Sequence, residues 1–235
     1  LLVILLSYPV KADSIGLKTI IIDAGHGGSD KGGEGSDGML EKDAALQISQ
    51  SLKNKIVKMK LNVVMTRDKD NDVPLEKRIA IANDSNGGVF ISIHTGSAHS
   101  DELSGIGIYY LDYERVRDEF SEAAQDDAED DRKDVEMILK DMTRSNYVNE
   151  GAILSELLQK NLTEIITDQK VTLKPAPISI LKDVNMPSVL IEFGNITNNE
   201  DVRRLKDRGY INKVTDAILN GIIEYDVVSE KEISK

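Results

Sequence analysis

Ile20-Ile21-Ile22-Asp23-Ala24-Gly25-His26-Gly27-Gly28 is an apolar, β-branched run that ends at a carboxylate and passes into a glycine turn carrying a histidine. Branched side chains suit a pleated strand, and glycine accepts the positive φ of a tight turn. The stretch reads as a strand whose end presents an imidazole. Two more segments follow the same design, Val89-Phe90-Ile91-Ser92-Ile93-His94 and Pro187-Ser188-Val189-Leu190-Ile191-Glu192. The chain has three histidines, and two of them close such runs. In open α/β sheets, ligand and catalytic groups gather at the C-terminal rim of the strands. The pattern therefore predicts an α/β fold with its site at that rim.

Working outward, strands are predicted over 19–23, 61–65, 89–94, 107–111, 178–181 and 188–192. Helical spacing separates them. Ala45, Ile48, Leu52, Ile56 and Met59 share one face of a helix over 41–59. Pro74 stands at a helix start, where its missing N–H costs nothing, ahead of Leu75, Ile79 and Ala82. Later helices carry Leu154, Leu158 and Ile165, then Ile211, Val214, Ile218 and Ile222. The expected fold is a single α/β domain with a mostly parallel, twisted central sheet of about six strands flanked by helices.

A chain of 235 residues with 40 % hydrophobic content can bury one sizeable core. Its net charge of −12 argues against nucleic acid, which calls for clustered Lys and Arg. Aromatics are few and tryptophan is absent, so no stacking platform is evident. Cysteine is also absent, which leaves imidazole and carboxylate as the metal ligands on offer. Residues 1–12 form an apolar run too short to span a bilayer and end in a small-residue pattern, so they read as the remnant of a cleaved secretory signal. On that reading the protein is exported, to a periplasmic or extracellular place. No later segment reaches membrane-spanning length, and 13–228 are expected to form the one functional domain, with a tail over 229–235.

Residues 112–144 stand apart. They hold thirteen Asp and Glu against six Lys and Arg, a net of −7, which is more than half of the excess negative charge. Phe120, Ala123 and Ala124 at one end and Val135, Ile138, Leu139 and Met142 at the other have helical spacing, while 125–134 are nearly all charged. This predicts an acidic helical insertion docked at its two ends. A solvated surface helix and a mobile cover over a site both fit.

Glu41 opens the helix that follows the glycine-rich stretch after His26. With His26 and His94 it completes a His/Glu/His set, and Glu192 is left over. Three protein ligands, an open position for water and a separate carboxylate base are the parts of a hydrolytic zinc site. Singly, each residue has an ordinary explanation: turn chemistry for His26, the helix dipole for Glu41, a half-buried strand histidine for His94. Their joint placement at equivalent element ends favours one zinc ion. Asp23, three residues before His26, is expected either to orient a ligand imidazole or to be a plain strand-end carboxylate. His99 has no comparable position.

These residues also carry a family resemblance. Ile22-Asp23-Ala24-Gly25-His26-Gly27-Gly28, followed by Gly38-Met39-Leu40-Glu41-Lys42-Asp43, resembles the first signature of the zinc-dependent N-acetylmuramoyl-L-alanine amidases, the amidase-3 family of cell-wall hydrolases. Thr66-Arg67-Asp68 with Leu75, Arg78 and Ala82-Asn83 is similar to the second block, and Ser92-Ile93-His94 to the second histidine motif. Met186-Pro187-Ser188-Val189-Leu190-Ile191-Glu192-Phe193-Gly194, with Asn198 and Glu200-Asp201, resembles the final block.

The resemblance implies that His26, Glu41 and His94 hold zinc and that Glu192 is the catalytic carboxylate. It implies hydrolysis of the amide between N-acetylmuramic acid and the L-alanine of the peptidoglycan stem peptide, for wall remodelling or daughter-cell separation. It also implies that 112–144 match a helix that, in some members, covers the zinc until an activator protein displaces it. Glu119, Glu122 or Glu129 would then occupy the open zinc position. Thr95-Gly96 after His94 departs from the family's small residue and Asn, and Asn198-Asn199 replaces the common Asn-Pro and reads as a helix cap. A zinc peptidase cutting within the stem, and a non-catalytic wall-binding regulator, remain as alternatives.

Overall fold

The computed structural model describes residues 19–85, 87–96, 104–112 and 131–233. Within them the chain forms one six-stranded sheet: β1 (Ile20–Ala24), β2 (Val63–Met65), β3 (Val89–Gly96), β4 (Ile106–Tyr110), β5 (Val171–Pro175) and β6 (Ser188–Asn195). The strand order is β2-β1-β3-β6-β4-β5. β2, β1, β3 and β6 run parallel, β4 is antiparallel to β6, and β5 is parallel to β4. The described helices are α1 (Glu41–Lys58), α2 (Leu75–Asp84), α3 (Asp131–Ile165), α4 (Ser179–Asp183), α5 (Asn199–Lys206) and α6 (Arg208–Ile233).

Alternation along the strands sends side chains to both faces, and both are covered. Ile20 and Ile22 of β1, Ile91 and Ile93 of β3 and Ile191 and Phe193 of β6 pack with α1, α3 and α6. Ile48, Leu52 and Ile56 supply the α1 side of that layer and are fully buried, as their spacing predicts. Ile21, Phe90 and Leu190 point the other way, against Ala82 of α2, Ile180 and Leu181 of α4, and Val148 of α3. The result is a three-layer α/β domain with a mostly parallel central sheet. Asn198 caps α5 by accepting from the Glu200 and Asp201 N–H groups, as expected.

Two expectations are corrected. Residues 178–181, expected as a strand, lie largely in α4, whose residues Ile180 and Leu181 are both buried in the same cluster. Consecutive residues of a strand would face opposite sides. The strand beside β4 is instead Val171–Pro175, an edge strand that tolerates Lys174 and Pro175 because one side has no ladder to complete. The second correction concerns 112–144. Residues 131–144 belong to the same continuous helix as Leu154 and Leu158, and Met142, expected to dock, is 64 % exposed. Residues 1–12, the start of the insertion with Glu119, Glu122 and Glu129, and His99 lie outside the described residues.

Candidate metal centre

β1 has β2 on one side and β3 on the other, so the chain leaves β1 in one direction and returns in the other. A crevice opens where the connections diverge. His26 follows β1 directly, and His94 lies near the end of β3. Glu192 on β6 is in register with His94, which puts both side chains on the same face. Glu41 reaches the same rim as the first residue of α1.

Glu41 is the buried centre of this group, 4 % exposed. Its Oε1 lies 3.1 Å from His26 Nε2 and 3.1 Å from His94 Nδ1. The Thr95 backbone N–H donates to Oε1 and the Gly33 N–H to Oε2. Burial opposes ionisation of Glu41, but the hydrogen bonds from His26, His94 and Gly33 outweigh it and hold the carboxyl well below the usual range. The same Glu41 bond raises the pKa of His26, against the effect of burial and with help from Asp30. The two imidazoles meet nearly edge to face, with centroids 5.0 Å apart.

The turn that carries His26 is held in an uncommon conformation, with φ 59° at His26 itself. A Cβ at Gly25 would lie 2.4 Å from His94 Cε1, so only glycine lets the turn pass over that ring. Asp30 Oδ2 lies 2.9 Å from His26 Nδ1, where it can hold the Nδ1 proton and orient the ring when Nε2 gives up its own proton to act as a ligand. From below, Arg67 donates to the carbonyls of Ala24 and Gly25, and Arg78 to those of Ala24 and His26. Asp23 does not touch the imidazole. Its buried carboxylate accepts from Thr66, Arg78 and Ser92, so it acts on His26 only through the Arg78 guanidinium. The carboxylate that orients the imidazole is Asp30.

Beside the imidazoles runs an open groove of about 360 Å³, bounded on its far side by Val73, Pro74, Leu75 and Ile180. Glu192 is bonded at Oε2 by the Tyr109 hydroxyl at 2.8 Å. Burial, followed by the hydrogen bond and charge of Glu192, pushes the Tyr109 phenol up to about 12, so it stays a neutral donor at working pH.

The sequence profile of the amidase-3 family, N-acetylmuramoyl-L-alanine amidase, matches residues 20–224. The chain belongs to that family. It is 31 % identical to the N-acetylmuramoyl-L-alanine amidase AmiC of Escherichia coli O6:H1 over 88 % of its length, and it spans about half, 52 %, of that relative. The fold is shared with AmiC2 of Nostoc punctiforme at 30 % identity and a TM-score of 0.69, covering 88 % of this chain and 96 % of that one. It is also shared with the CwlD amidase of Clostridioides difficile, solved in complex with the GerS lipoprotein, at 28 % identity and a TM-score of 0.71 over 90 % and 99 % of the two chains.

The donor set of this amidase-family chain fits a metal ion. His26, Glu41 and His94 each offer one ligand atom, all within 4.8 Å of one another. A tetrahedral centre with bonds of about 2.0–2.1 Å keeps its donors about 3.3–3.4 Å apart. The two 3.1 Å separations lie close to that edge. Among residues that the sequence did not single out, Asp30 and Tyr109 stand beside the site. Arg67 and Arg78 lay within the family blocks without a role, because a buried arginine reads no differently from an exposed one in sequence.

Proposed function

We propose that this chain is a zinc-dependent N-acetylmuramoyl-L-alanine amidase in which His26, Glu41 and His94 hold the metal and Glu192 is the catalytic carboxylate. The observation that carries this reading is the convergence of the three donors on one rim position, with Glu192 in register beside His94. Zinc at this position supplies Lewis acidity, which polarises a carbonyl and makes water more acidic. Glu192 takes the proton from the attacking water and returns it to the departing amine of L-alanine. Asp30 and Arg78 keep the His26 imidazole aimed, and the Val73-Pro74-Leu75 wall flanks the groove that receives the glycan and stem peptide.

Incubation of intact sacculi with the zinc-loaded protein tests the reading. Free stem peptides with N-terminal L-alanine and unpeptided glycan are the expected products. Muropeptides shortened inside the stem would show a peptidase instead. Substrate location supports export to the cell wall, in keeping with the signal-like residues 1–12, and among the described residues no helix is long and apolar enough to cross a membrane. The segment 112–144 serves as a regulatory cover, and a protein activator displaces it. The CwlD amidase, similar in fold, was solved with a lipoprotein partner, which supports a partner here.

A further inference from the structure

Glu192 sits at a seam where the sheet changes direction. β6 pairs with parallel β3 on one side and antiparallel β4 on the other, and Glu192 lies opposite Gly107 of β4 while Leu190 lies opposite Tyr109. These four residues share one face of the sheet, so Tyr109 is the diagonal neighbour of Glu192, within reach of a long aromatic side chain. The ring takes that diagonal path. A Cβ at Gly107 would come within 2.9 Å of Tyr109 Cε2 and 3.1 Å of its hydroxyl, so glycine leaves the space that the phenol crosses to reach Glu192 Oε2. On the other side, position 96 of β3 faces the same oxygen, with a built Cβ 3.9 Å from Oε2, but it is a glycine and offers no side chain.

We propose that Tyr109 is a positioning residue for Glu192, its hydroxyl fixing Oε2 so that Oε1 is the oxygen that exchanges the proton with water. The inference rests on the amidase reading and adds to it a support built from the antiparallel seam. A carboxylate free to rotate spends part of its time misaligned with the water, and a hydrogen bond to a charged group is strong enough to prevent that.

The test compares wild type, Tyr109→Phe, Gly107→Ala and Glu192→Ala, each zinc-loaded, on purified muropeptides with kcat and KM measured separately. Tyr109→Phe is expected to lower kcat about tenfold while KM, zinc content and thermal midpoint stay near wild type. Gly107→Ala, which keeps the phenol but displaces it, is expected to lower kcat in the same direction. A purely structural tyrosine would move the thermal midpoint and leave kcat of the folded enzyme intact. The proposal alone is overturned if wild type is active, Glu192→Ala is inactive and Tyr109→Phe keeps kcat within about twofold of wild type. If wild type releases no stem peptide, or Glu192→Ala retains turnover, the amidase reading falls and the positioning role goes with it.

Discussion

Arg78 and Asp23 form an ion pair at 2.8 Å whose side chains are only 9 % and 1 % exposed. The same guanidinium donates to the His26 carbonyl at 2.6 Å. A charge buried under the sheet rim is thereby connected to the left-handed turn that aims an imidazole. The pair contributes little net stability compared with an apolar substitute, because both ions have lost their water. What it supplies is placement, since one planar group fixes Asp23 and the backbone on either side of Gly25.

Arg78→Ala should therefore do two separable things. It leaves the Asp23 carboxylate buried without its partner, a loss of about 3–5 kcal/mol, measurable as a fall in the urea midpoint. It also frees the His26 turn, so zinc affinity should fall even where the protein is fully folded. Arg78→Lys keeps the charge but cannot span the Asp23, Ala24 and His26 oxygens together, and should recover more stability than metal affinity. Equal recovery of both would show that charge alone is at work.

The parts of this arrangement differ in how well the sequence displays them. His26, His94 and Glu192 stand out because an apolar run followed by a polar rim residue is a local pattern, and strand periodicity fixes the face. Glu41 is found through the helix spacing of Ala45, Ile48, Leu52 and Ile56. Tyr109 and Asp30 carry no such signal. Tyr109 reaches Glu192 across an antiparallel pairing of strands separated by more than seventy residues of chain, and only the register reveals it. The same blindness explains β5: Val171–Pro175 is a mixed edge strand whose partner is set by the α3 crossover, while the apolar stretch at 178–181 lies largely in a short helix. Local pattern finds the apolar edge β2 (Val63–Met65) but misses the mixed edge β5.

Removing a metal donor gives the plainest test of the centre. His26→Ala or His94→Ala should abolish stoichiometric zinc, since two protein ligands rarely hold catalytic zinc tightly. Elemental analysis after dialysis reads the result. One equivalent of zinc retained in both variants would show that the metal binds elsewhere.

Glu192→Gln separates proton transfer from coordination. The amide is nearly isosteric and still accepts from Tyr109, so fold and zinc content should be unchanged. Turnover should fall by about 100-fold or more, because the group that moves the proton has gone. A variant that retains wild-type kcat would move the base to another residue.

The apo protein should show a defined pH response. The Glu41 carboxyl is held below its ordinary value, so its contribution is present above the unfolded pKa of about 4.3 and is lost as pH falls toward the folded value. His26 is raised, so its contribution is present below the unfolded pKa of about 6.5 and is lost as pH rises through the folded value. The pair should stabilise the metal-free chain most between about pH 4.3 and 6.5, and Glu41→Gln should flatten that maximum in urea titrations. Zinc affinity should instead climb with pH, since the proton on His26 competes with the metal.

The regulatory cover proposed for 112–144 meets the described structure at α3. Val148, Leu154, Leu158 and Leu162 of α3 are buried, whereas Met142, nearly two turns before Val148, faces solvent. A helix rises about 1.5 Å per residue, so the 131–144 stretch accounts for about 20 Å of the length of α3. In sequence, 112–144 connect β4, which carries Tyr109 beside Glu192, to the later part of α3, and that place motivates a test of the proposed cover. Deleting 125–134 should raise basal amidase activity severalfold with zinc content unchanged, and should make the enzyme indifferent to any activating partner. If the deleted protein folds, binds zinc and cleaves sacculi at the wild-type basal rate, the segment is a solvated surface helix and restraint of this amidase lies elsewhere.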